Sequence, residues 1–295
     1  MTSYINLQYG KTKAVIQTQG AQIASFRGAD GQERIWQADP AVWAQHAPVL
    51  FPVCGSVRDG RILIDGEAYP MTKHGFTREP DFEVFQAGED YVDLVMTATD
   101  QTRNMYPFEF AFHVTYRLFE NGYTTTFLIE NRSDRVMPCC VGGHPGYIVP
   151  MEAGAKYTDY QIVFEQKERG INSLAPGGYL IDGEEQLKEL QDGRILPLNH
   201  ALFDERDALV FAGLNSRRVD LVHRESGRGL RFEFPKMEVL AIWSMPKKNA
   251  DYVCLEPWHG MPGRAQDSDN FEDKPYVTML EPGKVYTTWF TMKLI

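Results

Sequence analysis

Long apolar runs are missing from this chain, and so is any excess of basic charge. No stretch approaches the roughly 20 apolar residues that a membrane-spanning helix requires. The opening Met1-Thr2-Ser3-Tyr4-Ile5-Asn6 has no basic segment leading into an apolar one, so no signal peptide is expected. Lysine and arginine number 30 against 40 aspartates and glutamates, a net charge of −10. Nucleic acids and anionic membranes select basic patches, so this balance argues against both as partners, while one arginine is enough to hold a small anion. Cysteine is scarce: Cys54, Cys139, Cys140 and Cys254 form no C-x-x-C pair. The adjacent Cys139 and Cys140 read as buried thiols rather than a disulfide, and a soluble, cytoplasmic protein is expected. No His-x-His or His-x-x-x-His pair occurs, which leaves a metal centre on His74, His144 and His113 without support. No metal or redox cofactor is expected. Internal repeats, low-complexity tracts and linkers are also lacking, and residues 1–295 read as a single domain.

What is present is short strands. The hydrophobic share of 43% is ample for a large core. Lys11 to Phe26 reads as two strands around a Gly20 turn. Arg61 to Tyr69 reads as a hairpin turning at Asp65-Gly66, and Phe82 to Thr99 as two strands around Gly88-Glu89-Asp90. Phe108, Phe110, Phe112, Val114, Tyr116 and Leu118 alternate on one face, and Asn121-Gly122 then turns the chain into a partner strand, Tyr123 to Glu130. Val136 to Val141 is expected as one strand, and Tyr276 to Met292 as a terminal hairpin or strand pair. Helices are expected only over 39–46, where Asp39 caps and Pro40 opens the first turn, and over 184–190. Ala175 to Gly178 reads as loop. Strands at close, regular spacing with almost no helix predict an all-β fold, a large antiparallel β-sandwich with few short helices.

Four stretches carry polar groups in glycine- and proline-rich surroundings. Val141-Gly142-Gly143-His144-Pro145-Gly146-Tyr147 holds His144, whose ordinary pKa of about 6.5 suits proton transfer near neutrality. Leu255-Glu256-Pro257-Trp258 ends an apolar strand in a carboxylate, and partial desolvation there makes a better base. Lys73-His74-Gly75-Phe76-Thr77-Arg78 sets a histidine and an arginine four apart around a glycine. Gly55-Ser56-Val57-Arg58-Asp59-Gly60-Arg61 offers two more arginines. Each stretch alone has an ordinary structural explanation as a loop or a sheet-end ion pair.

Taken as an ordered series, His74-Gly75-Phe76, Gly143-His144-Pro145 and Glu256-Pro257-Trp258 resemble the aldose 1-epimerase, or galactose mutarotase-like, family, and its shorter bacterial branch in particular. The series spans roughly Phe51 to Trp289. The resemblance implies a β-supersandwich with a carbohydrate cleft across one sheet. It implies His144 as the general acid at the sugar ring oxygen, Glu256 as the general base at the C1 hydroxyl, and His74 as the histidine that orients the sugar. Arg58 or Arg61 stands for the family's substrate-contacting arginine, because Gly55-Ser56 replaces the usual Gly-Arg. Arg58, Arg61, Arg78 and Arg264 are available to an anionic substituent. The family's sugar-binding aspartate falls on Asn199 in Leu198-Asn199-His200-Ala201-Leu202-Phe203, with Asp204 close by. Trp258, Trp243 and Tyr147 are candidate platforms for the sugar, although core packing is the expected role of Trp243. The implied activity is interconversion of α and β anomers of a small-molecule aldose; the sequence leaves monomer and homodimer both open. A non-catalytic carbohydrate-binding sandwich is the alternative. A glycosidase would require a second well-placed carboxylate.

Overall fold

The computed structural model describes residues 2–172, 180, 185–264 and 267–295. Tyr4–Tyr9 (β1), Thr12–Gln17 (β2) and Gln22–Arg27 (β3) form a three-stranded sheet in that order. Val49–Leu50 (β4) precedes the hairpin of Arg61–Ile64 (β5) and Glu67–Pro70 (β6), which turns at Asp65-Gly66. Glu83–Ala87 (β7), Tyr91–Thr97 (β8), the short helix Asp100–Arg103 (α1), Phe110–Phe119 (β9) and Gly122–Asn131 (β10) follow. Next come Met137–Cys139 (β11), Val141–Gly143 (β12), Gly146–Ile148 (β13), Tyr160–Phe164 (β14) and Ile195–Pro197 (β15). Helix Ala201–Arg206 (α2) leads into Ala208–Ala212 (β16), Arg218–His223 (β17), Gly229–Glu233 (β18), Val239–Trp243 (β19) and Tyr252–His259 (β20). Thr278–Leu280 (β21) and Val285–Leu294 (β22) close the chain.

Two large antiparallel sheets form the sandwich. One has nine strands in the order β15-β14-β17-β18-β22-β10-β9-β8-β7. The other runs β16-β19-β20-β12-β4, with β13 also paired to β20. Period-2 alternation decides what lies between them. On β9, Phe110, Phe112, Val114, Tyr116 and Leu118 are all buried, as the pattern predicts. Phe51, just beyond β4, stacks on Phe112 at 4.8 Å, and Phe211 of β16 meets Phe164 of β14 at 4.9 Å. Each such buried phenylalanine contributes about 1.5–3 kcal/mol. On β20, Val253 and Leu255 enter this main core, whereas Tyr252 and Cys254 face a second cluster with Trp36, Trp43 and Trp243. The outer face of the smaller sheet is thus lined with aromatics, and it carries the site.

Several local expectations give way to tertiary contacts. Residues 39–46 make one turn rather than a helix: Val42 and Trp43 N–H both donate to the Asp39 carbonyl, at 3.0 and 2.8 Å. The Asp39 carboxylate caps that turn through Ala41 N–H, but the Trp43 carbonyl is taken by the Trp36 indole N–H at 2.8 Å. The strand expected over 136–141 splits in two, because Cys140 N–H turns away to the Pro52 carbonyl at 2.7 Å. The terminal pair is not a hairpin: β21 pairs with β11, while β22 lies between β10 and β18. Over 185–190 the chain makes a turn, Leu190 N–H to the Leu187 carbonyl, and no helix. The Ala175 to Gly178 loop and Glu184 lie outside the described residues. Helix α2 appears where no helix was expected. Among the described residues, no helix is long and apolar enough to cross a membrane.

Candidate active site

β20 organises the site. Gly142 of β12 lies opposite Trp258, and Gly146 of β13 lies opposite Cys254. That register sets His144 directly across from Glu256. The ladder opens between the two paired segments because Pro145 has no N–H to give. His144 N–H goes instead to the Pro48 carbonyl at 3.0 Å. The side chains meet on the aromatic face, His144 Nε2 lying 3.2 Å from Glu256 Oε2. Glu256 is only 2% exposed and His144 9%.

His74 enters from a left-handed turn, with φ of +69° at His74 and +81° at Gly75. Glycine is required at 75, since a Cβ there would sit 1.9 Å from the Phe51 carbonyl oxygen. The turn presses His74 Nδ1 onto Gly55, whose N–H donates to it at 3.0 Å. With Nδ1 accepting, neutral His74 carries its proton on Nε2. Its ring lies edge-on to His144 at 5.6 Å.

These residues line a cavity of about 200 Å³ together with Lys73, Arg78, Asp207, Trp43, Trp243 and Trp258. Trp43 stacks between His144, at 5.1 Å, and Tyr252, at 5.4 Å. Burial pushes the Glu256 carboxyl well above the usual carboxylate range, and the cations of Lys73 and Arg78 pull partly against it. Burial pushes the His144 imidazole well below its usual value, with Arg78 and Lys73 adding to the shift. His74 is lowered by the same cause and by His144 beside it. A dry site disfavours both a lone carboxylate and a lone imidazolium, so the His144–Glu256 pair is most stable sharing one proton.

His74, Arg78, His144, Glu256 and Trp258 are therefore brought together. Arg58 and Arg61 lie elsewhere. The Arg58 guanidinium pairs with Asp269 at 2.6 Å and Arg61 Nη2 reaches the same carboxylate at 3.4 Å, at the foot of the β5–β6 hairpin. Asn199 accepts from Leu202 N–H at 3.2 Å and so caps α2, while Asp204 accepts from Lys247 N–H at 2.5 Å. Neither lines the cavity. The aspartate that does is Asp207, beside Glu256 in the lining, at φ +62°, with the Trp243 indole N–H 3.4 Å from its Oδ1. Trp243, expected in the core, is a cavity wall, and Tyr147 is fully buried with its hydroxyl 2.9 Å from that of Tyr123. Sequence reasoning missed Asp207 and Trp43. The one local signal for Asp207 is its place immediately before an apolar strand, like a carboxylate at a sheet end. His113 sits on β9 against Asp93 at 3.1 Å, away from the other two histidines.

Asn199→Ala is expected to cost about 0.5–2 kcal/mol of stability through the lost cap. Urea unfolding of the variant beside wild type checks this.

The fold is that of galactose mutarotase-like proteins. A galactose mutarotase related enzyme of Lactobacillus acidophilus superposes with a TM-score of 0.93 at 29% identity, covering 99% of this chain and 97% of the other. A galactose mutarotase-like protein of Lactobacillus casei gives 0.92 at 27% identity, covering 99% and 100%. The plasmid-encoded protein LacX of Lactococcus lactis subsp. lactis is 33% identical over 272 residues, 90% of each chain. The aldose 1-epimerase family matches residues 3–293, and the chain belongs to that family.

Proposed function

We propose that the chain is a mutarotase acting on an aldohexose such as glucose or galactose, with His144 as general acid and Glu256 as general base. The observation that carries this reading is the buried 3.2 Å approach of His144 Nε2 to Glu256 Oε2 in a cavity large enough for one sugar ring. The Glu256 carboxylate takes the proton of the C1 hydroxyl while His144 Nε2–H protonates the ring oxygen. The C1–ring oxygen bond breaks and the open-chain aldehyde forms. C1 turns about its bond to C2. Closure on the other face returns a proton from Glu256 to the C1 oxygen, and the ring oxygen gives its proton back to His144. Both groups end as they began, and the pair never gains or loses a net proton. His74 Nε2–H supports the ring oxygen, and Asp207 accepts from a sugar hydroxyl. Trp43, Trp243 and Trp258 supply apolar surface for the ring faces. Four buried thiols without a disulfide among them fit a cytoplasmic setting.

Because the active pair carries one proton, kcat/KM is expected to follow a bell-shaped pH profile. As pH falls, a second proton enters the pair, the base is no longer free and the rate drops, at a pH below the ordinary imidazole value because burial lowers His144. As pH rises, the last proton leaves, the acid is lost and the rate drops again, at a pH above the ordinary carboxylate value because burial raises Glu256. A flat profile across both limbs, measured by polarimetry, contradicts the assignment.

A further inference from the structure

One side chain beside the proton-transferring pair has no part in that chemistry. Cys254 lies two residues before Glu256 on β20 and shares its face, buried beneath Trp43 and Trp243. One donor atom each of His144, Cys254 and Glu256 lie within 4.8 Å of one another, and all three residues are buried. Among the described residues, none hydrogen-bonds the buried Nδ1 of His144. Nitrogen, sulfur and oxygen donors at about 2.0–2.3 Å from a tetrahedral ion stand roughly 3.3–3.8 Å apart, so a movement of about 1 Å closes the set. Three protein donors leave a fourth position, and two of the three residues, His144 and Glu256, line the cavity.

We propose that His144, Cys254 and Glu256 form a binding site for a borderline-soft divalent cation such as Zn²⁺, and that its occupancy switches the enzyme off. Thiolate and imidazole donors select zinc, cobalt or cadmium over magnesium and calcium. One thiolate and one carboxylate neutralise the ion's charge, which suits a buried site. Binding releases the Cys254 thiol proton and the proton shared by His144 and Glu256 to solvent, and it leaves neither acid nor base free. The shut-off rests on the mutarotase reading; the binding does not.

Cobalt(II) titration of the full-length protein tests the site directly. The expected result is one Co²⁺ per chain, intense visible bands of tetrahedral cobalt and a near-ultraviolet thiolate-to-cobalt band that is absent from Cys254→Ser. Zn²⁺ is expected to suppress mutarotation and a chelator to restore it. Cys254→Ser should keep the metal-free rate and bind Zn²⁺ at least about 10-fold more weakly, the lower end of what loss of even an outer partner costs. Cys254→Ala serves where serine impairs folding. Equal zinc affinity in the wild type and the Cys254 variants overturns the proposal, as does a thiolate band that survives in them. Cobalt uptake at Cys254 in a protein that turns over no sugar would leave the site standing and remove only the shut-off.

Discussion

Glu256→Gln is expected to lower kcat by about 10²–10⁴-fold, the usual contribution of a positioned base, with KM within about threefold of wild type. Glutamine keeps the shape of the side chain and removes its ability to accept a proton. The substitution also relieves the molecule of an ionisable group that is only 2% exposed. The variant is therefore expected to melt no lower than wild type, as befits a residue retained for chemistry at some cost in stability. Polarimetry for the rate, sugar binding by calorimetry and a thermal scan test the three parts. Wild-type turnover in Glu256→Gln rules out this glutamate as the base. A large loss of stability with normal specific activity assigns it instead to the architecture of the sheet.

The largest expected effect on stability lies at Gly75. An alanine there places its Cβ 1.9 Å from the Phe51 oxygen and 2.4 Å from the Phe51 carbonyl carbon, with φ at +81°. The left-handed backbone costs an L-residue about 1–2 kcal/mol. Forcing the neighbouring backbone aside adds about 1–3 kcal/mol. Gly75→Ala should therefore lose roughly 2–5 kcal/mol in urea unfolding. Gly66 is the internal comparison: its φ is +80°, but nothing lies within 4 Å of its would-be Cβ. Gly66→Ala should lose only the backbone part, about 1–2 kcal/mol. Equal losses at the two positions would show that the contact with Phe51 contributes little. Because Gly75 sets the turn that aims His74, the remaining folded Gly75→Ala protein should also show reduced kcat/KM.

The two glycines also illustrate what a sequence displays and what it hides. Gly66 follows Asp65 between two apolar-patterned segments, and the turn is legible there because its cause is local. The strand pattern of β9 is legible for the same reason, since alternation is a property of consecutive residues. The demand for glycine at 75 comes from Phe51, 24 positions away, and nothing near Gly75 announces it. Residues 39–46 show the opposite failure. Asp39 and Pro40 are sound helix-start signals, and the cap does form. The helix does not continue, because Trp36, Tyr252 and His144 claim Trp43 for a stack. The ordered series of His74, His144 and Glu256 was legible as a resemblance. The register that sets His144 against Glu256 was not, because it depends on β12 and β13 both pairing with β20. Asp207 was hidden likewise. It adjoins Ala208, which lies opposite Trp243 in the β16–β19 ladder, and only that pairing carries its carboxylate to the cavity. Asn199 had the expected neighbours in sequence, but its side chain accepts from Leu202 N–H and does not line the cavity.

The proposed mutarotation depends on proton transfer by the His144–Glu256 pair. Its most direct test is polarimetry on freshly dissolved α-D-glucose and α-D-galactose, with wild type beside His144→Asn. The prediction is that wild type speeds the approach to anomeric equilibrium for at least one sugar, and that the variant does so about 10²–10⁴-fold less. A wild type that binds these sugars without speeding their mutarotation, or a His144→Asn variant as fast as wild type, would contradict it, and the first of these outcomes would mark the cavity as a carbohydrate-binding site without catalysis.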